Sequence, residues 1–283
     1  MNGVIVVNKE KGITSRDVIN KVCKLLGTKK VGHTGTLDPI AEGVLVICVG
    51  KATKLVELLT SNDKTYVATV KLGVLTDTLD ITGDIIEERK CSLSKEILEK
   101  VLESFIGKYE QEVPIYSAVK INGKKLYEYA RENKEVELPK RLVEIKNIKL
   151  LSFNDDNYSF EVSVSKGTYI RSLIKDINDK LGIIGSMSKL VRTKQGKFTI
   201  NDAYKISDIK NNNYKIIPIE SIVDDIKTID MDEKLYSKVK NGQILDNSYK
   251  SNIIGFKYMG KLVAIYKTYE KDKTKIKPYK MFV

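Results

Sequence analysis

Gly32-His33-Thr34-Gly35-Thr36-Leu37-Asp38-Pro39, continued by Ile40-Ala41-Glu42-Gly43-Val44-Leu45, is the stretch around which the rest of this chain arranges itself. It sets a carboxylic acid in a short, glycine-punctuated loop that runs directly into Val44 to Val49, an apolar run with the pattern of a buried strand. Proline restricts the residue before it, so Asp38, between Leu37 and Pro39, has few conformations open to it. Gly32 and Gly35 permit sharp turns and the close approach of a bulky ligand. Such a loop suits an acid that must meet its substrate at one fixed geometry. An isolated Asp-Pro is more often a turn whose acid merely satisfies backbone amides; the octet as a whole is far more specific.

Outward from this loop, the hydrophobic periodicity predicts a mixed set of elements. Gly3 to Val7 is a strand. Thr14 or Ser15 caps a helix with Val18, Ile19, Val22, Cys23, Leu25 and Leu26 on its inner side, ended by Gly27. Ala52 to Leu59 is a short helix. Thr65 to Leu72 alternates, placing Tyr66, Ala68, Val70 and Leu72 on one face of a strand. Ser94 caps a helix over Lys95 to Ile106 with Ile97, Leu98, Val101, Leu102 and Phe105 inward, and Lys124 to Arg131 is another. Leu142 to Phe153 and Tyr158 to Ser165 are neighbouring strands across the turn Asn154-Asp155-Asp156-Asn157. Ile170 to Leu181 is helical and stops at Gly182. Strands and helices without strict alternation indicate an α+β fold on a mixed or antiparallel central sheet. From Asn211 the composition shifts, and beyond Met231 the runs Val239–Ile244, Ile253–Phe256 and Gly260–Tyr266 indicate a small β-rich module.

The chain has 283 residues, enough for one large or two modest domains, with 42% hydrophobic and 30% charged residues, as in a soluble globular protein. Lys and Arg number 49 against 37 Asp and Glu, a formal charge of +12, which favours a polyanionic partner and salt-sensitive binding. The basic residues lie in mixed-sign segments, so a disordered basic tail is not expected. Cys23, Cys48 and Cys91 are far apart and fit reduced thiols in a cytoplasmic protein rather than a disulfide framework. No apolar run reaches the roughly 20 residues of a membrane span, and Met1 to Val7 reads as a strand rather than as a signal peptide.

Three alternative sites fail on spacing or composition. Gly50-Lys51-Ala52-Thr53 follows an apolar strand, but the spacing from Gly43 and Ala52 at the magnesium position do not fit a phosphate-binding loop. His33 is the single histidine, so multi-histidine zinc sites are excluded. A serine triad on His33 lacks its Gly-x-Ser-x-Gly elbow.

The octet with the following Ala-x-Gly-Val-Leu resembles the catalytic motif of the TruB-type tRNA pseudouridine synthases, which isomerise the uridine at position 55 in the T-loop of tRNA. Three further blocks agree in order: Lys64-Thr65-Tyr66 with Leu72-Gly73 and Thr76-Asp77-Thr78; Pro114-x-Tyr116-Ser117-Ala118-x-Lys120 through Ala130-Arg131; and Gly167-Thr168-Tyr169-Ile170-Arg171-Ser172-Leu173 with Leu190-x-Arg192-Thr193. The blocks run from about residue 3 to about residue 200. The resemblance implies the pseudouridine synthase fold, a catalytic domain over 1–228 and a PUA-like RNA-binding module over 229–283.

The resemblance also implies roles. Asp38 is the catalytic nucleophile or base, Arg171 the guanidinium that keeps it ionised, and Tyr66 the tyrosine that stacks on the target base. Tyr169 and Leu190 line the base pocket, and His33 fills the vacated stack or holds the extruded nucleotide. Lys64, Lys120, Arg131 and Arg192 are expected at phosphates. The plainer alternatives are Tyr66 and Leu190 as core, Arg171 as a surface helix-start arginine paired with Asp176 or a phosphate, His33 as a turn residue bonded to backbone, and Lys64, Lys120, Arg131 and Arg192 as solvated charges. The isomerisation breaks N1–C1′ and joins C5 to C1′ without exchanging electrons or groups, so neither cofactor nor metal is expected. The expected partner is the tRNA T-arm, with no protein partner and no membrane. The rival functions are a guide-RNA-dependent subunit that modifies ribosomal RNA and a non-catalytic RNA-binding or RNA-folding protein.

Overall fold

The computed structural model describes residues 1–283. Its centre is a nine-stranded sheet whose main path runs Gly3–Lys9, Glu42–Val49, Gly185–Gln195, Lys64–Leu72, Asn157–Val164, Lys140–Phe153, Gly107–Glu112. All neighbours on this path are antiparallel except Glu42–Val49 with Gly185–Gln195, where Val191 and Arg192 lie beside Glu42 and Gly43. The sheet is therefore mixed, as the element order predicts. A separate five-stranded sheet holds Thr228–Asp230, Ile253–Tyr258, Lys261–Tyr269, Asp272–Met281 and Leu245–Asp246.

Local chemistry accounts for most of the elements. The Ser15–Leu26 helix opens on a capping box, in which Thr14 accepts from the Asp17 amide and Asp17 reaches back to Thr14, and it closes on Gly27 in the left-handed conformation. Lys64–Leu72 buries Lys64, Tyr66, Ala68, Val70 and Leu72 and leaves the alternate positions less covered. Ile170–Leu181 has the predicted bounds, with Gly182 as its C-cap.

Several elements differ from expectation at their ends. Residues 50–60 form a 3-10 turn, Gly50–Leu55, followed by Val56–Thr60. The third helix stops at Glu103, and Ile97 and Leu25, expected inward, are exposed. Lys124–Lys125 is the second strand of a small hairpin, so the helix there is only Leu126–Arg131.

The two sheets share a core: Val4, Val6, Val44 and Leu55 of the main sheet region pack in one cluster with Leu262, Ile265 and Phe282 of the C-terminal one. The main core contains Tyr66, Leu190, Leu173 and Ile174 together with Leu37, Ile40 and Ala41 of the acid loop. Asp38 is thus flanked by anchored apolar side chains, which is how a loop acquires the precision of the sheet.

Gly43 sits where the loop rejoins that sheet. Its φ of +102° is a region that other residues rarely adopt, and a Cβ there would collide with the Arg192 carbonyl across the parallel contact. Gly43→Ala should lower unfolding free energy by about 3 kcal/mol or more, measured by urea unfolding; a loss below about 0.5 kcal/mol would contradict this packing.

Candidate active site

Four buried polar side chains bolt the acid loop in place. The Ser15 hydroxyl accepts the Leu37 amide at 2.8 Å and donates to the Leu37 carbonyl at 3.1 Å. Arg192 donates through Nε to Val44 O at 2.7 Å, through Nη2 to Gly35 O at 3.0 Å and through Nη1 to Thr36 O at 3.3 Å. Lys9 Nζ donates to Ala41 O at 2.6 Å and Pro39 O at 3.3 Å. Gln195 Nε2 donates to Thr34 O at 3.2 Å. All four residues are buried. Buried carbonyls left unpaired would each cost about 1–3 kcal/mol, and bonds from charged donors are the stronger kind. Burial lowers the Lys9 ammonium to about 8, against the opposing pull of Asp38 and Glu42. Gly35, at φ +143°, makes the turn, whereas Gly32 lies in the Val31–His33 strand and serves by leaving room for Val56.

Clamped in this way, the loop holds Asp38 over a cavity of about 250 Å³, whose walls include Lys64, Tyr66, Tyr169, Arg171 and Leu190. The Asp38 Oδ2–Arg171 Nε distance is 3.0 Å. The Arg171 side chain is only 6% exposed, while that of Asp38 is 40% exposed, so the carboxyl is the more open of the pair and the guanidinium is buried. Arg171 is held at its other two nitrogens, with Nη1 donating to Thr78 O and Nη2 to Tyr116 O, both at 3.0 Å. Its alternative partner, Asp176, is not engaged; burial pushes that carboxyl up to about 6. The arrangement is a carboxyl oxygen beside one wall of a cavity that two tyrosines and a leucine also line.

Residues 23–170 match the TruB family pseudouridylate synthase N-terminal domain. The chain is 43% identical to tRNA pseudouridine synthase B of Listeria welshimeri, over 99% of this chain and 98% of that protein. It is likewise 43% identical to the protein of that name from Staphylococcus saprophyticus, over 99% of each. The chain belongs to the TruB family of pseudouridine synthases. Among solved structures it resembles the H/ACA RNP bound to a substrate RNA containing 2'-deoxyuridine, with TM-score 0.73 and 25% identity over 99% of this chain and 85% of that one. It also resembles the Cbf5-Nop10-Gar1 complex, with TM-score 0.72 and 26% identity over 94% and 78%.

Within this TruB chain, the structure brings Asp38, Tyr66, Tyr169, Arg171, Leu190 and Lys64 to one cavity. Tyr66 sits between Val162 and Arg192 in the sheet register, on the buried face of its strand. Lys64 Nζ donates to the carbonyls of Thr60, at 2.8 Å, and Asn62. Burial, then the nearby Arg192, lowers it to about 8.

His33 is not among the residues lining the cavity. It lies half-buried next in sequence to Thr34 and Gly35, which do line the cavity; its Nδ1 accepts the Gly35 amide at 3.3 Å, and burial with Arg16 and Arg192 lowers its pKa, which keeps the ring neutral at neutral pH. Lys120 is likewise off the cavity, exposed on the hairpin formed by Lys120–Ile121 and Lys124–Lys125. Arg131 lies over the Tyr127 ring. Arg192 corrects the expectation of a phosphate contact: it is fully buried, and its guanidinium is occupied by three carbonyls on either side of Asp38.

No sequence signal marks Lys9 or Gln195, and Ser15 reads only as a candidate helix cap, a place Thr14 takes, because a lysine in a Lys-Glu-Lys run and a serine at a helix start both read as solvated. A larger cleft, of about 830 Å³, is lined by lysines and acids that largely neutralise one another, with Lys146 on Asp63 and Lys197 on Asp224. The acid lies elsewhere, in the smaller cavity.

Proposed function

We propose that this chain converts a uridine of tRNA to pseudouridine, at position 55 of the T-loop, using Asp38 as the catalytic carboxylate. The observation that carries this reading is the Asp38–Arg171 pair at the mouth of a cavity walled by Tyr66, Tyr169 and Leu190. The relatives named tRNA pseudouridine synthase B, matched along nearly their whole length, support tRNA as the substrate.

A cavity of this size admits one nucleotide, not a stacked strand, so the target uridine must leave the T-loop. The few kcal/mol this costs must be offset by contacts to the flipped base and the surrounding backbone. Tyr66 and Tyr169 supply aromatic surface for the uracil and Leu190 an apolar wall; a pocket with those walls retains the base once N1–C1′ is broken and lets it rotate so that C5 meets C1′. Asp38 assists as nucleophile or base. Arg171 holds the carboxylate aimed, through the 3.0 Å contact of its Nε. Neutral His33, one residue before the cavity-lining Thr34 and Gly35, is suited to the stack that the uridine vacates. Lys64, floored on two carbonyls, offers its remaining proton to a phosphate, and exposed Lys120 meets RNA outside the cavity.

Residues 229–283 form the RNA-binding module in this reading. Lys277, set against the Tyr269 ring, supplies charge and aromatic surface for a nucleic acid there, while Lys267 and Lys280, on Tyr279, are paired with Glu270 and Glu57. No helix is long and apolar enough to cross a membrane, and a tRNA substrate supports a cytoplasmic site of action.

The likeness to the H/ACA and Cbf5 complexes raises a guide-dependent rival, which the near-complete match to the tRNA enzymes disfavours. Purified protein with a bare T-stem-loop transcript, and no guide RNA or second protein, should produce one carbodiimide-dependent primer-extension stop at the T-loop uridine. The stop should persist with chelator and weaken as ionic strength rises. Modification only after addition of a guide RNA would overturn the stand-alone reading.

A further inference from the structure

We propose that Gln111 is a positioning residue for this reaction: its side-chain amide sets the orientation in which the Ile170–Leu181 helix delivers Arg171 to Asp38 and Tyr169 to the cavity. The proposal rests on the roles given above to Asp38 and Arg171.

Gln111 lies on Gly107–Glu112, the strand that closes one side of the main sheet and pairs only with Lys140–Phe153. Its strand neighbours Glu110 and Glu112 are exposed, but Gln111 is buried. A buried amide must find partners for both its carbonyl and its NH2. Gln111 finds them on one residue. Its Oε1 accepts the Tyr169 amide at 2.7 Å, and its Nε2 donates to the Tyr169 carbonyl at 3.1 Å. The same Nε2 donates to the Tyr109 hydroxyl at 2.6 Å, which fixes the amide from behind. Burial, and next the Asp176 charge, raise the Tyr109 pKa, so that hydroxyl stays neutral.

Tyr169 is the N-cap of the helix, and it makes no side-chain capping bond of its own. Its carbonyl already accepts the Leu173 amide at 3.0 Å, so Gln111 adds a second bond there and takes up the amide that the helix cannot satisfy. Two bonds from one planar group to the N–H and the C=O of one residue tie both peptide planes that flank its Cα, and so restrain rotation as well as distance. Arg171 follows two residues later, and Tyr169 itself lines the cavity. A helix start free to turn by an ångström would move the guanidinium off the carboxylate, a displacement that costs up to about 100-fold in rate when reacting groups are involved. A glutamate in this place would keep the acceptor and lose the donor.

Gln111→Ala should lower the single-turnover rate of pseudouridine formation on a T-stem-loop transcript by about 10- to 100-fold. Its dissociation constant for that transcript should stay within about twofold, and Gln111→Glu should fall between wild type and Ala. In an Arg171→Ala background the effect of Gln111→Ala should shrink, because one of the two groups it positions is gone and only Tyr169 remains to be displaced. A general loss of structure would instead lower the melting temperature and multiply independently of Arg171. Should Gln111→Ala fail to fold, the Glu variant, of the same size, carries the same comparison. A folded variant with the wild-type rate, or an undiminished effect in the Arg171→Ala background, overturns the proposal. An inactive wild-type enzyme in the same assay would strike the proposed function instead.

Discussion

Asp38→Asn will bind a T-arm transcript within a fewfold of wild type but form pseudouridine more slowly by at least about 10⁴-fold under single-turnover conditions. The substitution keeps the shape of the side chain and removes its charge, so the effect isolates chemistry from fit. Because Asp38 is 40% exposed, its pairing with Arg171 is screened by water and adds little to folding, and the melting temperature should hardly move. The backbone of the loop is kept by Ser15, Lys9, Arg192 and Gln195, none of which bonds to the carboxylate. Loss of rate with retained binding and retained stability is the signature of a group that acts on the reacting atoms. Retained rate would remove Asp38 from the mechanism.

Arg171→Lys is the second large effect, and it has two components. Lysine presents one ammonium where arginine offers a planar fork, so it cannot meet the Asp38 carboxylate and the carbonyls of Thr78 and Tyr116 together. The rate should fall by about 10²- to 10³-fold as the carboxylate loses its fixed partner. Unfolding free energy should also fall, by about 1–3 kcal/mol for a buried carbonyl left unpaired, which a urea titration will read. The coupling of the two losses separates Arg171 from Asp38, whose removal affects rate alone. Arg171→Lys with wild-type rate and midpoint would show that the fork has no such double duty.

Much of this was legible in the sequence, for identifiable reasons. Period-2 alternation in Lys64–Leu72 and helical spacing in Ile170–Leu181 placed Tyr66 and Arg171 on their elements because both elements are amphipathic and cleanly ended. The Gly185–Gln195 strand carries Leu190 and Arg192, yet its alternation is broken by register shifts between Met187 and Lys189 and between Arg192 and Lys194, so periodicity does not reveal it. Gly107–Glu112 is polar along its length and buries only Gln111. The Glu233–Lys240 helix buries only Val239.

The same cause lies behind the misplaced Arg192 and the side chains that no pattern marks. Lys9, Arg192 and Gln111 are polar groups buried in order to hold backbone, and nothing in a sequence separates a clamp of that kind from a charge in water. The composition shift read at Asn211 falls ahead of the second sheet, whose first strand is Thr228–Asp230. The core that the two sheets share is a contact between distant segments, and local sequence cannot show it.

The central claim is that one carboxylate, fixed by Arg171, meets a uridine everted from the T-loop. The most direct test is a crystal structure of the Asp38→Asn protein with a T-stem-loop RNA. The account predicts the target uracil out of its stack and between Tyr66 and Leu190, with the residue-38 side chain within about 3.5 Å of the reacting nucleoside. A target base still stacked in its loop, with residue 38 facing solvent away from the RNA, would contradict it.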